Sequence, residues 1–332
     1  MSGKIMNCAR TLSGIKRQLL SKVSASNSLT SSALRTLTVT YSRNMKLVQF
    51  TYNDNPKELR VGYLDKDNVV DINKADPCLP STLLEILKKE QIDKVKNLPK
   101  TNPPSVRLSC VTLAAPIYGP DKVLCIALNY ADHCKEQNLK PPPLPTVFSK
   151  FASTIIGQNE PLRLRTDVTK KVDWEVELAV VIGKKASFVK AADAYKYVLG
   201  YTVAQDISSR DWQKEANGGQ FLLGKSQDTF CPIGPCIVTA DEIADPQRLD
   251  IKCSVNGVLK QNSNTCNIIH KIPDVIERLS SLMTLLPGDL ILTGTPDGVG
   301  MHRKPAEFLK PGDVLSSEIE NIGKFDVRVE KF

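Results

Sequence analysis

The chain has 332 residues, of which 41% are hydrophobic and 24% are charged, a composition typical of a globular protein. Its formal net charge is +8, but residues 1–46 carry eight basic and no acidic side chains, so the other 36 basic residues balance the 36 acidic ones. A neutral body gives no support for a nucleic-acid partner. Because no apolar run approaches the roughly 18 residues of a membrane-spanning helix, we expect a soluble protein with no membrane partner.

The N-terminal segment has the composition of a targeting sequence. It is basic, rich in serine and threonine, and carries apolar pairs such as Leu19-Leu20 between its basic residues. An inside-negative organelle draws such a segment in, so residues 1–44 are predicted to be a mitochondrial transit peptide that is removed in the matrix. A tail without a targeting role is the alternative interpretation.

The first elements after this segment are predicted to be β-strands. LVQFTY and LRVGYLDKDNVVDI alternate between apolar and polar residues, with a turn at Asp65–Asn68. Thr82 and Glu85 form a capping-box pattern, which predicts a short helix to about Glu90. The polar, proline-rich residues 97–108 come next and predict a domain boundary.

This boundary divides the chain into a small N-terminal β domain, residues 45–115, and a larger domain, residues 116–332. In the larger domain we predict strands in DKVLCIALNY, KVDWEVELAVVIG and YTVAQDIS, further strands after the two PGD sequences, and a hairpin at Asn256-Gly257. Helices are predicted in ADHCKEQN, in ADAYKYVLG as far as Gly200, and in PDVIERLSSLMTLL. The few helices indicate an α+β fold built on an antiparallel or mixed sheet.

The cysteines and histidines indicate neither a disulfide framework nor a zinc site. The nine cysteines include no CxxC pair, and only three histidines are present. Scattered, mostly buried thiols are expected for a chain of this size in a reducing compartment. So few histidines also give no support for a histidine-rich zinc site.

GQFLLGKS, residues 219–226, matches the phosphate-loop pattern, but its surroundings do not. A phosphate loop follows a buried strand and begins a helix. Here the residues before Gly219 are polar, and Pro232 and Pro235 follow soon after the loop. We therefore expect no nucleotide site, which leaves Lys225 for other chemistry.

Three acidic residues are the strongest sign of a site. Glu175 and Glu177 are separated by one residue, so on a strand both side chains point to the same face. Asp206 lies where the next apolar strand ends. Because neighbouring carboxylates repel unless a proton or cation lies between them, the trio favours a hard cation such as Mg²⁺ or Mn²⁺. For Glu175 and Glu177 alone, a solvated strand face is the alternative.

Longer motifs resemble the fumarylacetoacetate hydrolase family in order and spacing. They are NYADHCKEQN, FSKFAS, DWEVELAVVIG, QDISSRDWQ, FLLGKSQDTFCPIGP and PGDLILTGTPDGVG, and the resemblance covers about residues 45–332. It implies a mixed β-roll of the family's C-terminal type, a small N-terminal β domain and a homodimer.

The resemblance also implies roles for individual residues. Its metal ligands for Mg²⁺, or for Mn²⁺ or Ca²⁺, would be Glu175, Glu177 and Asp206. Its catalytic residues would be Lys225 and an acid–base pair on a mobile lid, His133 and Glu136. Its substrate-binding residues would be Arg210, Gln213 and Thr295.

Without the resemblance, these residues indicate less. His133 and Glu136 are three residues apart and share a helical face, as a surface pair also would. Apolar neighbours of Lys225 could desolvate its amine and lower its pKa, but a lysine that reaches the surface is an equal interpretation. TGTPDGVG is typical either of a turn with exposed backbone N–H groups or of a plain hairpin. Together, these features favour a metal pocket that binds anions.

A small 2-oxo acid is the expected substrate of such a pocket. Oxaloacetate can chelate Mg²⁺ through its carboxylate and 2-oxo oxygen, and the cation stabilises the enolate that forms when C3 loses a proton. We therefore predict a metal-dependent tautomerase that interconverts enol- and keto-oxaloacetate, in which Lys225 or the His133–Glu136 pair moves the proton.

Two other reactions use the same cation and enolate. They are acylpyruvate hydrolysis of the fumarylpyruvate type and oxaloacetate decarboxylation. The overall similarity to the family favours the tautomerase. A scaffold that binds a metal and a partner without catalysis is the alternative from another class, and the complete set of acidic and basic residues argues against it.

Overall fold

The computed structural model describes residues 45–98 and 103–332, so the predicted transit peptide at residues 1–44 lies outside the described residues. The strands are β1 (Lys46–Tyr52), β2 (Asn55–Asp65), β3 (Asn68–Asp71), β4 (Ser105–Arg107), β5 (Val111–Leu113), β6 (Val123–Ala127), β7 (Thr146–Lys150), β8 (Ile155–Ile156), β9 (Leu162–Leu164), β10 (Val172–Asp173), β11 (Val176–Ile182), β12 (Val198–Gln205), β13 (Ser208–Ser209), β14 (Cys231–Thr239), β15 (Asp250–Val255), β16 (Val258–Asn264), β17 (Leu290–Leu292), β18 (Val314–Ile319) and β19 (Gly323–Lys331).

The described helices are short. The α-helices are α1 (Ile72–Ala75), α2 (Leu83–Lys88), α3 (Ile92–Lys96), α4 (Ala131–Glu136), α5 (Arg210–Lys214), α6 (Leu222–Lys225) and α7 (Ile272–Leu282). The 3₁₀ helices are Leu108–Cys110, Ala152–Thr154, Ala191–Tyr197, Ala240–Glu242, Thr265–Asn267 and Gly300–His302.

Most strands join one large mixed sheet. Its order is β4-β3-β2-β1-β14-β12-β11-β17-β6-β7, with β5 paired to β1 and β8 paired to β14. The pairs β17–β6 and β14–β8 are parallel, whereas β11–β12 and β12–β14 are antiparallel. A second sheet has the order β16-β15-β18-β19-β9, and β10 pairs with β13. The α+β class and the mixed sheet are therefore confirmed.

The N-terminal strands belong to the large sheet. β1 pairs with β14 through Lys46 and Val238 and through Leu47 and Ile237. The sheet is therefore continuous across the predicted boundary near residue 115. The division into two domains at this boundary stays a prediction.

Several local predictions are confirmed. β2 and β3 form the predicted hairpin, in which Asp65 pairs with Asn68. The helix α2 begins after Thr82, whose hydroxyl accepts a hydrogen bond from Glu85 N at 3.3 Å. β15 and β16 turn at Asn256-Gly257, where φ is +51° and +77°, the positive pair that a two-residue hairpin turn favours.

The helix α7 is shorter than predicted. Val275, Ile276 and Leu279 are buried on its apolar face, as the spacing predicts. The helix ends at Leu282, however, and the side chain of Leu282 is 65% exposed. Met283 has extended backbone angles, so the chain leaves the helix before the remaining apolar residues could extend its buried face.

The prediction that Gly200 ends a helix is wrong. ADAYKYVLG contains the 3₁₀ helix Ala191–Tyr197, and Gly200 lies inside β12. A Cβ at this position would lie 2.1 Å from Val238 O on β14. The glycine therefore allows two neighbouring strands to approach closely.

The core and surface agree with the composition. Trp174, Val176 and Leu178 are buried in the core. The described cysteines are free thiols, with Cys125, Cys134, Cys231, Cys236 and Cys253 buried. Within the described ranges, every helix is too short or too polar to span a membrane.

Candidate active site

The three predicted metal ligands meet where two neighbouring strands of the large sheet lie side by side. β11 and β12 are antiparallel and place Glu177 opposite Ala204. Glu175 lies directly before β11 and Asp206 directly after β12, and Asp206 N donates to Glu175 O at 2.9 Å. One carboxylate oxygen from each of Glu175, Glu177 and Asp206 lies within 4.8 Å of the others, and all three side chains are buried. The predicted cluster is therefore formed.

Basic side chains neutralise part of this cluster. Lys225 Nζ lies 2.8 Å from Glu175 Oε2 and 2.6 Å from Asp206 Oδ2. Lys150 Nζ, from β7, lies 2.7 Å from Asp206 Oδ1. Arg210 lies 2.7 Å from Glu175 Oε1. Asp206 is thus held by two buried ammonium groups.

Glu177 differs from the other two acids because its oxygens contact no basic side chain among the described residues. Its Oε2 accepts a hydrogen bond from Gly294 N at 2.7 Å. Gly294 has a φ of +103°, and a Cβ there would lie 2.8 Å from Asn129 Cβ, so glycine is required for this approach. Glu177 is the acid of the cluster with the least compensated charge.

These contacts shift the pKa values in opposite directions. Burial would raise the pKa of Glu175, but Lys225 and Arg210 lower it below its ordinary value. Burial raises the pKa of Glu177 well above its ordinary value, and the charges of Asp206 and Glu175 add to this shift. Burial would lower the pKa of Lys225, but Asp206 and Glu175 outweigh it and raise the pKa. The lowered pKa considered for Lys225 is therefore not found.

The residues present fit a divalent cation. Three carboxylates offer hard oxygen ligands, which Mg²⁺, Mn²⁺ and Ca²⁺ prefer. With the buried Asp173, the cluster has four acids against three cations, namely Lys150, Lys225 and Arg210. The excess negative charge favours a cation, and the oxygens of Glu175, Glu177 and Asp206 would hold it.

A cavity of about 300 Å³ opens beside the carboxylate cluster. The predicted site residues that line it are Glu175, Glu177, Lys225, His133, Arg210, Gln213 and Thr295. Asp206 and Glu136 lie behind this wall and reach it through Lys225 and His133. The structure therefore places seven of the nine predicted site residues in the cavity wall and the other two in contact with that wall.

The predicted anion-binding residues are tied to their neighbours. Arg210 Nε donates to Asp173 Oδ2 at 2.9 Å, and Arg210 Nη1 donates to Gln213 Oε1 at 2.9 Å. The Thr295 hydroxyl donates to Val176 O at 3.0 Å. The proton of this hydroxyl is thus already used within the protein. Substrate binding by Arg210, Gln213 and Thr295 stays a prediction.

His133 and Glu136 form the predicted pair, and His133 is buried instead of lying on the surface. His133 Nδ1 lies 2.9 Å from Glu136 Oε2, and Glu136 Oε1 accepts from Gly298 N at 2.9 Å. Gln137 Nε2 lies 2.7 Å from His133 Nε2. When Glu136 is ionised, Nδ1 carries the proton and Nε2 is the acceptor.

This pair leads to a prediction on pH. Burial would raise the pKa of Glu136, but His133 and Gly298 N lower it below its ordinary value of 4.5. The carboxylate therefore adds stability above pH 4.5, and this contribution is lost as the pH falls through the lowered value. We expect Glu136→Gln to be less stable than the natural chain by about 1 kcal/mol at pH 7.

Urea unfolding of both proteins between pH 7 and pH 3 would measure this difference. It should shrink steadily below pH 4.5 because both side chains become neutral. A difference that stays constant over this range would contradict the assignment of an ionised Glu136.

The sequence analysis missed several residues of the site. Neither Lys150, in FSKFAS, nor Asp173, which precedes the acidic pair, is predicted from the sequence to contact the cluster. Gln137 and His302 line the cavity without having been singled out. Lys150, Asp173 and Gln137 lie within family motifs, which was the available signal, whereas His302 lies outside them. Only the folded chain shows which groups these side chains contact.

The loop that matches the phosphate-binding pattern has another structure. α6 begins after Phe221 and is four residues long, and the residues before it form turns instead of a strand. Lys225 ends this helix and contacts carboxylates. The rejection of a nucleotide site is consistent with this geometry.

The fold and this site together define a class of protein. Residues 122–330 match the family described as fumarylacetoacetate (FAA) hydrolase C-terminal. The match spans more than half of the chain, so the chain belongs to the fumarylacetoacetate hydrolase family.

The chain is also similar to individual proteins of known sequence or structure. The chain is 50% identical over 285 residues to the mitochondrial oxaloacetate tautomerase Fahd2a of Rattus norvegicus, covering 85% of this chain and 90% of that protein. It is 34% identical to a solved fumarylacetoacetate hydrolase from psychrophilic Exiguobacterium antarcticum, with a TM-score of 0.78 over 87% of this chain and 100% of that one. It is 30% identical to maleylpyruvate hydrolase from Sphingobium sp. SYK-6 in complex with manganese(II) ion and pyruvate, with a TM-score of 0.71 over 86% of this chain and 99% of that one.

Proposed function

We propose that this protein is a metal-dependent oxaloacetate tautomerase, which interconverts the enol and keto forms of oxaloacetate by proton transfer. The observation that carries the proposal is the buried trio Glu175, Glu177 and Asp206, which shares one cavity with Lys225 and His133. The high identity to a protein named oxaloacetate tautomerase supports the choice of substrate.

The geometry suggests a division of labour between the two candidate proton carriers. A bound divalent cation would polarise the 2-oxo group and stabilise the negative charge that appears when C3 loses a proton. Lys225 has a raised pKa and two carboxylate partners, so it stays protonated and can donate a hydrogen bond to the substrate oxygen. His133 Nε2 is an acceptor while Glu136 holds Nδ1, so His133 can take the C3 proton while the Lys225 ammonium group gives a proton to the 2-oxo oxygen. Both transfers run in reverse when the enol form becomes the keto form, and proton exchange with solvent restores the two side chains.

Gln137 has a place in this scheme. Its side-chain amide lies 2.7 Å from His133 Nε2, the atom that would accept the proton. The amide must leave this position when substrate approaches. Gln137 directly follows α4, so a shift of the chain at the C-terminal end of this helix would move the amide away.

Acylpyruvate hydrolysis is the second candidate. The solved structures similar to this chain include fumarylacetoacetate hydrolase and maleylpyruvate hydrolase, the latter with manganese(II) and pyruvate. The same His133–Glu136 pair could activate water for attack on an acyl group. Oxaloacetate decarboxylation would need the same cavity and no additional residue.

A mitochondrial location is also part of the proposal. The relative with 50% identity is named mitochondrial, and the basic N-terminal segment has a suitable composition. The removal of residues 1–44, import into the matrix and the homodimer stay predictions.

The decisive experiment follows the enol absorbance of oxaloacetate. Purified protein with Mg²⁺ should speed the fall of this absorbance, and excess EDTA should abolish the effect. Pyruvate is measured in the same samples. Rapid pyruvate release from oxaloacetate would identify a decarboxylase, and rapid release from an acylpyruvate would identify a hydrolase. No acceleration with Mg²⁺, Mn²⁺ or Ca²⁺ would overturn the tautomerase.

A further inference from the structure

Besides the predicted site residues, two basic side chains line the cavity. They are Lys214, at the end of α5, and His302, at the end of the 3₁₀ helix Gly300–His302. Both can donate hydrogen bonds, and lysine adds a positive charge.

One buried carboxylate fixes the two segments that carry these side chains. Asp173 accepts hydrogen bonds from Arg210 Nε at 2.9 Å, from Gly300 N at 2.6 Å and from Met301 N at 3.0 Å. Arg210 begins α5, and Lys214 follows it by four residues on the same helical face. Asp173 therefore places Lys214 and His302 on neighbouring parts of the cavity wall.

The other basic groups of the cavity already have partners. Lys225 is paired with Glu175 and Asp206, and Arg210 is paired with Asp173 and Glu175. Among residues 45–98 and 103–332, no ion pair or hydrogen bond of the Lys214 ammonium group is found. Burial and the charge of Arg210 lower the pKa of Lys214, and a carboxylate bound beside the ammonium group would favour its charged form.

His302 has an unpaired ring nitrogen. Nε2 is buried without a hydrogen-bond partner, so a proton on Nε2 would lack an acceptor. The proton is more stable on Nδ1, which then can donate to a ligand. Burial lowers the pKa of His302, so the ring is neutral at neutral pH and offers this donor without adding charge.

Charge balance indicates what these side chains would bind. With all four acids ionised, the carboxylate cluster and Asp173 carry one negative charge more than their three basic partners, and a divalent cation would change this excess to one positive charge. One substrate carboxylate balances this charge. A second carboxylate in the same cavity would face apolar side chains such as Leu128, Leu139 and Phe148 and needs another cation.

We propose that Lys214 and His302 bind the second carboxylate of a four-carbon dicarboxylic 2-oxo acid and so select dicarboxylic over monocarboxylic substrates. Lys214 supplies the charge and His302 a directed hydrogen bond, as charge-assisted carboxylate recognition requires. This inference rests on the proposed function, because it takes the first carboxylate and the 2-oxo group to lie beside the carboxylate cluster.

The test compares two unreactive ligands by calorimetry on the Mg²⁺-loaded protein. Malate is a four-carbon dicarboxylate, whereas oxalate is too short to place a carboxylate at a second position. Lys214→Met and His302→Phe should each weaken malate about tenfold and leave the Kd of oxalate within about twofold. Each should also raise KM for oxaloacetate about tenfold and leave kcat within about twofold.

Matched variants complete the test. Lys185 is exposed and does not line the cavity, so Lys185→Met removes one positive charge and should leave malate binding and KM unchanged. Lys214→Arg keeps the charge and should retain most of the malate affinity. Unchanged malate binding in both Lys214→Met and His302→Phe would overturn the inference. An equal loss for malate and oxalate would also overturn it, since that points to a damaged cavity.

The two proposals fail in different ways. If the natural chain does not accelerate tautomerisation, the proposed function fails. Malate and oxalate binding then still shows whether Lys214 and His302 recognise a second carboxylate. If tautomerisation is fast and the variants bind malate and oxalate with the same relative affinity as the natural chain, only the inference fails.

Discussion

Glu177→Gln is expected to abolish metal-dependent turnover without weakening the metal-free fold. The carboxylate of Glu177 accepts a hydrogen bond from Gly294 N and is paired with no basic side chain of the described ranges. Its pKa is raised by burial, Asp206 and Glu175, so the metal-free fold loses stability as the pH rises above the ordinary value of 4.5. Glutamine has nearly the same shape and stays neutral, so it removes this cost.

Turnover should fall by about a thousandfold or more, because the variant loses the several kcal/mol that a polarising cation supplies. Enol absorbance with saturating Mg²⁺ measures this loss, and calorimetry measures Mg²⁺ binding. Thermal unfolding without metal should show equal or greater stability than the natural chain, and Mg²⁺ should no longer raise the melting temperature. Wild-type Mg²⁺ affinity in Glu177→Gln would remove this residue from the ligand set.

Asp206→Asn is the matched comparison. Asp206 is bonded to both Lys150 and Lys225, so its replacement leaves two buried ammonium groups without a shared carboxylate. We expect this variant to lose about 3–5 kcal/mol of unfolding free energy without metal. Two substitutions within the carboxylate cluster should therefore have opposite effects on the stability of the metal-free protein.

Lys225→Met is expected to reduce both stability and turnover. The ammonium group is buried and bridges Glu175 and Asp206 at 2.8 Å and 2.6 Å. Without it the carboxylates repel, and the unfolding free energy should fall by about 3–5 kcal/mol. Mg²⁺ should restore part of this loss because it binds the same oxygens. At saturating Mg²⁺, turnover should remain about 100-fold to 10,000-fold below that of the natural chain, because the proton donor at the substrate oxygen is missing.

Lys150→Met separates the effect on stability from the effect on turnover. Lys150 also contacts Asp206, at 2.7 Å, but does not line the cavity. Its loss should destabilise the metal-free protein to a similar extent and leave turnover at saturating Mg²⁺ within about tenfold of the natural value, since no substrate contact is lost. Equal losses of turnover in the two variants would show that Lys225 acts through the charge of the cluster and not on the substrate.

Local sequence patterns predicted a large part of the fold, because the preference for a strand, a turn or a helix start depends mainly on neighbouring residues. Alternation of apolar and polar residues located β1, β2 and β3, and positive φ at Asn256-Gly257 follows from the residue types that tolerate it. The capping pattern located the start of α2. Each of these signals is contained in a few consecutive residues.

Predictions failed where a distant strand decided the outcome. Gly200 resembles a helix stop in sequence, but its role comes from the close approach of Val238 on β14. The pKa of Lys225 also depends on residues that are distant in the chain. Its apolar neighbours in sequence suggested a lowered pKa, whereas Asp206 and Glu175 raise it. Coulomb interactions at contact distance outweigh the cost of burial.

The sequence by itself predicted the class of fold, the acidic cluster Glu175, Glu177 and Asp206 and, through the family motifs, the other residues proposed to bind substrate or to move the proton. Only the tertiary structure decided how charge is shared among them. It showed that Lys150 and Asp173 complete the cluster, that Glu177 is the acid without a basic partner, and that Lys214 and His302 face the cavity. Residue spacing defines the face of a strand, whereas ion pairs depend on distances between segments that are far apart in the chain.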